Sequence, residues 1–249
     1  MNVRAAESIE LSGSSGGLST NSSAGRAGNV VVETGRLQLL DGSAITADGL
    51  GNGAAGDIII AADSVLLDGF AETPFSQNPL FSRISSSLNS EATGQTSSII
   101  ITANSLSLRD GATIRTNTSS STNGGNIRIN ARDRVELIGS SSPETSSVST
   151  ISSSTFPGAT GSGGDINITV SNGQLSLLNG GQILAFAGAG RGGDIEIDAN
   201  AIEVIGIAAF PANATGLRLS SAITSSSVNG ADERTVVGDA GNITIRTIN

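Results

Sequence analysis

The sequence predicts an all-β solenoid, a parallel β-helix of about seven coils with three strands per coil and loop insertions in alternate coils. Three observations lead there. A short motif recurs seven times: a small residue or Gly, usually followed by Gly, leads into Asn or Asp and an apolar-any-apolar triplet. Examples are Ala55-Gly56-Asp57-Ile58-Ile59-Ile60, Gly163-Gly164-Asp165-Ile166-Asn167-Ile168 and Ala240-Gly241-Asn242-Ile243-Thr244-Ile245. The copies, at Asn29, Asp57, Ser98, Asn126, Asp165, Asp194 and Asn242, give a unit of about 28 residues alternating with longer ones. The apolar residues within each unit alternate with period two, and no stretch sustains a helical period. Finally, the chain is 37% hydrophobic but only 2% aromatic, which suits a narrow aliphatic tube better than a globular core filled by rings.

Each unit divides into three strands. The first carries Ile or Val at the outer positions of its triplet. The second carries pairs such as Leu37/Leu39, Leu106/Leu108 and Leu175/Leu177, and the third centres on Ile45, Ile84, Ile114, Ile151, Ile183 and Ile223. Asp41-Gly42, Asp68-Gly69, Asp110-Gly111 and Asn179-Gly180 supply turns once per unit, Gly tolerating positive φ and Asx bonding the local backbone. Such turns also suit hairpins. Their equivalent placement, and the constant residue preference of each strand position, favour coils stacked Ile on Ile. The repeat leaves no internal boundary, so residues 1–249 form one domain. Ser8-Ile9-Glu10-Leu11 matches a second strand and Ile243-Thr244-Ile245 a first, so the chain is expected to start and end mid-coil, as a fragment of a longer array capable of end-to-end self-association.

Composition narrows the function. The net charge is −9, all 13 basic residues are Arg, and no basic stripe or aromatic platform points to nucleic acid. The absence of Cys removes disulfide, zinc-cysteine and cysteine-nucleophile chemistry. No apolar run approaches the length of a membrane-spanning helix, and Met1 to Glu7 lacks the apolar core of a signal peptide.

The succession of Gly-Gly-Asx-Ile-x-Ile, then Leu-x-Leu-x-Asp-Gly-Ala-x-Ile from Leu106 to Ile114, then a Ser/Thr/Gly-rich tract, resembles the filamentous-haemagglutinin-like proteins of two-partner secretion, particularly the cyanobacterial type. The resemblance runs from about Glu7 to Ile245 and rests on the repeat rather than on a unique site. It implies a right-handed parallel β-helix, exported through an outer-membrane transporter to the cell surface or medium and used in adhesion to extracellular carbohydrate or a cell surface. The signal peptide and secretion domain of the complete family pattern are not in this sequence.

Several constellations bear on chemistry. Parallel β-helices also serve as polysaccharide-active enzymes, for which paired carboxylates are needed, and the candidates are Asp133 with Glu136 and Glu196 with Asp198. With no His or Lys, the expectation is a solvated outer face, no catalytic residue and no cofactor. The Asn/Asp column could suggest calcium, but its period is far longer than that of a calcium-binding β-roll and half of it is neutral. It reads instead as a ladder of side chains capping backbone at a corner. The third strand is rich in hydroxyls at Thr46, Ser85, Ser152 and Thr224, the arrangement an ice-binding solenoid would use, although Arg115 and Leu184 interrupt it.

The middle residues of the first-strand triplets are expected to face outward. In the N-terminal half they are Val31, Ile59 and Ile100, a candidate partner-binding ridge. The tract Phe70 to Phe81 holds three of the six Phe and is expected to fold over that ridge as a lid.

Overall fold

The structure, a computed structural model, describes residues 1–73, 76–89, 94, 96–139, 147–156, 159–208, 219–227 and 238–247. Its two long sheets are parallel throughout, and each takes its strands in chain order, so every coil stacks on the one before. Eight strands form the first sheet: Asn2–Ser12, Val30–Leu40, Ile58–Asp68, Ile99–Leu108, Ile127–Ile138, Ile166–Leu178, Ile195–Ile205 and Ile243–Thr247. Seven short strands form the second: Gly17–Ser19, Ala44–Thr46, Arg83–Ser85, Thr113–Arg115, Thr150–Ser152, Gln182–Ala187 and Ala222–Ser227. This is the parallel β-helix that the repeat predicts.

Two details differ from the expectation. The first and second strands of a coil are one continuous strand, bent at a corner, so the coil has one long side of two segments and one short side. The corner holds Gly35, Asp63 or Asn104 alone, the pair Arg132-Asp133, or the triplet Ser171-Asn172-Gly173, and the ladder resumes beyond each. No corner residue has a positive φ, so the backbone stays extended around the bend. The other difference is at the start of the chain. Asn2 to Ala5 pair with Val31 to Thr34, which adds an eighth rung to the first-strand row ahead of the seven that the motif marks. Val3 and Ala5 carry the alternation there, too weakly for a pattern built on Ile to register.

Register explains the core. Val30, Ile58, Ile99, Ile127, Ile166 and Ile195 lie directly over one another, as do Leu39, Leu67, Leu108, Leu137 and Leu177 along the second segment and Ile45, Ile84, Ile114, Ile151 and Ile183 along the short sheet. All belong to one buried cluster. Each such side chain contributes roughly 1.5–3 kcal/mol by leaving water, and none could be buried by a single coil.

The glycines of the motif follow from how closely coils approach. A Cβ on Gly164 would lie 2.3 Å from the Gly125 carbonyl oxygen, and one on Gly193 would lie 2.1 Å from that of Gly164. Buried hydroxyls then satisfy the crowded backbone: Ser153 donates to the Gly125 carbonyl at 2.6 Å and accepts from the Gly164 N–H at 3.0 Å. At the opposite corner three Asx-Gly turns take positive φ at both residues, 51° and 82° at Asp41-Gly42, 49° and 84° at Asp110-Gly111, and 50° and 98° at Asn179-Gly180, whereas at Asp68-Gly69 only the Gly does, at 75°.

The Asn/Asp column behaves as a ladder of caps. Asn29 Oδ1 accepts the Asp57 N–H at 3.0 Å and Asp57 Oδ1 accepts that of Ser98 at 3.0 Å. After Ser98, which has no carbonyl-type acceptor to offer, the ladder restarts from Asn126 to Asp165, Asp194 and Asn242 at 2.7–2.9 Å.

Candidate functional site: the outer faces of the two sheets

The long sheet brings the sequence-predicted ridge together. Val31 lies beside Ile59 and Ile59 beside Ile100 on three successive strands, all on the face opposite the buried Ile columns. Ile59 is 38% exposed, and its two neighbours are half-buried. The column continues through Arg128, Asn167, Glu196 and Thr244, so the apolar part is confined to three rungs.

The expected lid lies elsewhere. Phe70–Thr73 and Ser76–Phe81 form an antiparallel hairpin that leaves the rod at the Asx-Gly corner, remote along the coil from the ridge. Leu80 and Ala71 back onto Gly42, the Phe81 ring reaches Gly111, and Phe70 packs on Phe81 with ring centroids 5.8 Å apart. The rings bury against each other and against the turn, because the insertion begins immediately after Gly69 and its first residues pair with its last. Phe75 lies outside the described residues.

Alongside the ridge, the bend in the long strands opens a groove of about 560 Å³ that runs across several coils. The buried Ala103 and Ala131 lie at its base, with Thr102 and Asn130 beside them. Asp63, Asn104 and Arg132, all corner residues, add polar groups, and Asn104 Nδ2 donates to Asp63 Oδ1 at 3.2 Å. Small side chains at successive corners leave this space; the alternation of strands gives no hint of it.

Every carboxylate weighed for acid-base chemistry is engaged by an arginine. Arg132 donates through Nε and Nη2 to the two oxygens of Asp133, each at 2.9 Å, and that hydrogen bonding holds the Asp133 carboxyl below its ordinary pKa. Glu136 accepts from Arg109 at 3.3 Å and from Ser107 at 3.2 Å, while Glu196 and Asp198 share Arg246. At Asp133 the pair favours the charged carboxylate.

The outer face of the short sheet is different. Ser85 is fully buried and Thr46 and Ser152 nearly so, although all three point away from the core. Their hydroxyls are taken: Thr46 by Ser19 at 3.1 Å, Ser85 by Asp48 at 2.7 Å and Ser152 by Asn117 at 3.0 Å. Of the four hydroxyl positions on this face, Thr224 alone is exposed.

That face also holds a second ladder that sequence reasoning missed. Asn21 Oδ1 accepts the Asp48 N–H at 2.8 Å, Asp48 Oδ1 the Ser87 N–H at 2.7 Å, and Asn117 Oδ1 the Ser154 N–H at 3.1 Å. Its signal was available: Asn, Asp or Ser stands three residues after Leu18, Ile45, Ile84, Ile114 and Ile151, the inward residue of each short strand. Burial pushes the Asp48 carboxyl above its ordinary pKa, against the opposing effect of hydrogen bonds from Ser87 and Ser85 and of the charges of Arg115 and Arg83.

No family model, curated protein or solved structure matches the chain. The functional reading therefore rests on the repeat and on these two faces. Among the described residues, no helix is long and apolar enough to cross a membrane.

Proposed function

We propose that this chain is a non-catalytic, adhesive segment of an exported β-helical surface protein of the filamentous-haemagglutinin-like kind. Recognition in this reading is spread over the rod's exterior. The observation that carries it is the open Val31–Ile59–Ile100 ridge flanked by the long corner groove, an extended surface made by stacking rather than an enclosed site. An apolar strip beside an open groove edged by Asp63, Asn104 and Arg132 suits the repeated, shallow contacts of a polymer or a cell coat. The parent protein would reach the surface through an outer-membrane transporter, and extracellular carbohydrate or a neighbouring cell would be the target.

The test uses the chain coupled to beads and allowed to settle on cells and on immobilised polysaccharides. Wild-type beads are expected to adhere, and Ile59→Ser with Ile100→Ser is expected to reduce retention at unchanged thermal stability. Equal retention of wild-type, variant and bare beads would contradict the proposal. Export is tested separately, by digesting intact source cells with protease: an exported protein is cut, an internal one is not.

A further inference from the structure

Two arginines on the short sheet have no part in the reading above. Ile84 and Ile114 point into the core, so Arg83 before the one and Arg115 after the other point outward. Arg83 lies across from Thr113 and Arg115 across from Ser85, which places the two guanidinium groups on diagonal positions of adjacent strands. Arg83 Nε is buried and has no hydrogen-bond partner among the described residues. Arg115 is desolvated and sits in the field of Arg83, both of which lower its pKa.

Among the described residues, one carboxylate, that of Asp48, faces the pair. Asp48 Oδ1 is already committed to the Ser85 hydroxyl and the Ser87 N–H, each at 2.7 Å. Two cations opposite one engaged carboxylate leave a local positive excess in a protein whose net charge is −9. A buried donor without an acceptor is unfavourable, and an incoming oxyanion that draws the guanidinium outward would supply one. The planar fork of an arginine matches a carboxylate, which can take two parallel N–H bonds.

We infer that Arg83 and Arg115 form a carboxylate-binding subsite on the outer face of the short sheet, and that its ligand is a uronic-acid-bearing polysaccharide. The surroundings favour a sugar over an acidic peptide. Arg83–Ser85 is hydrogen-bonded to Ala44–Thr46 on one side and Thr113–Arg115 on the other, so no backbone edge is free for a peptide to add as a strand. The half-exposed Thr113 offers a hydroxyl, and Thr150, whose hydroxyl donates to the Val148 carbonyl at 2.9 Å, keeps an acceptor oxygen, which suits the hydroxyls flanking a sugar carboxylate. Only the source of the ligand depends on the adhesive reading; the carboxylate subsite stands on Arg83 and Arg115 themselves.

The experiment is calorimetric titration of the full chain at low salt with polygalacturonate, free galacturonate and polyglutamate. Polygalacturonate is expected to bind, free galacturonate to compete weakly, and polyglutamate to bind much less well. Arg83→Gln or Arg115→Gln is expected to weaken polygalacturonate binding about tenfold or more, and Arg36→Gln, on the long sheet, to leave it unchanged. Arg83→Lys keeps the charge without Nε or the fork, so an intermediate loss is expected and the test survives if the Gln variant folds poorly. No binding by the wild type, or the same affinity in all four variants, would overturn the subsite. Polyglutamate binding as tightly as polygalacturonate would overturn the polysaccharide assignment. Wild-type beads that adhere while the wild-type chain binds no polygalacturonate would sink the subsite and leave the adhesive reading standing; polygalacturonate binding that depends on Arg83, with no bead adhesion, would do the reverse.

Discussion

The long and short sheets line the same aliphatic interior, yet their exteriors are built on opposite rules. On the long sheet the outward residues reach into solvent: Ile59 is exposed, Glu33 pairs with Arg4, and Glu196 and Asp198 pair with Arg246 across coils. On the short sheet Thr46, Ser85 and Ser152 are buried, and their hydroxyls are bonded to the Ser19, Asp48 and Asn117 side chains. Strand length accounts for much of this. A three-residue strand has few outward positions, and the corner side chains fold back over them; an eleven-residue strand leaves its middle out of their reach. A solenoid can thus vary its surface face by face at little cost to the core, because successive side chains on a strand point to opposite sides.

The most damaging change to both faces is one that attacks what they share. Ile166→Asp places an unpaired charge at a fully buried position, with an expected cost of about 4 kcal/mol or more read as loss of the cooperative thermal transition by circular dichroism. A near-normal melting temperature would mean that the column is not buried.

Next in size is the corner that joins the faces. Ser153→Ala removes a buried hydroxyl that serves two backbone groups, Gly125 and Gly164. Its expected cost is about 1–3 kcal/mol, measured by denaturant unfolding. A loss no larger than that of an exposed serine such as Ser171 would show that water replaces the hydroxyl.

Acid separates the faces in sign. Asp194, at the long-sheet corner, is held below its ordinary pKa first by the Asn242 N–H and then by Arg191. Its contribution is present above the unfolded-state pKa, near 3.8, and is lost as pH falls through the lower folded value. Asp48 is raised by burial, so its contribution is complete below the unfolded value and declines as pH rises through the folded one. The stability gap between wild type and Asp194→Asn is therefore expected to narrow on acidification. That between wild type and Asp48→Asn is expected to move in the wild type's favour. Melting curves taken from neutral pH down to the carboxylate range check both, and parallel trends in the two gaps would contradict the difference between the faces.

The smallest effect belongs to the ridge. Ile59→Ser should change stability by no more than about 0.5 kcal/mol, because the side chain contributes little to the core. The last rung contrasts with it: Ile243 and Ile245 are 43% and 49% exposed, on a strand whose pairing among the described residues is to Ile195–Ala199 on one side. Scattering from the isolated chain is expected to rise with concentration as such rungs meet. A concentration-independent monomer would contradict that expectation.

Much of this was legible in the chain. Ile58, Ile127 and Ile166 announced the stack through the residues around them, and Asp41-Gly42 and Asp110-Gly111 announced the turns. Even the ladder from Asn126 to Asn242 could be inferred from position alone. The rest depends on distances that alternation does not encode. The bend at Asp63 or Asn104 keeps an extended backbone, so two strands read as separate are one, and the groove at that bend arises from small residues on different coils. Arg109 finds Glu136, and Arg83 approaches Arg115, only through the register of strands separated by insertions of unequal length. The hairpin at Phe70–Phe81 was recognisable as an insertion, but its direction follows from the Gly42 and Gly111 turns beneath it.

The contiguity of the ridge is the premise on which the functional reading stands, and it can be measured directly. The chain contains no cysteine, so Val31→Cys and Ile100→Cys admit a nitroxide pair with no competing thiol. Val31 pairs with Ile59 and Ile59 with Ile100, which puts the labelled backbone positions two rungs apart, about 10 Å. Continuous-wave electron paramagnetic resonance of frozen samples should show strong dipolar broadening relative to the two singly labelled chains. A spectrum equal to the sum of the single-label spectra would place the residues far apart, and the ridge with the coil stacking that creates it would be wrong.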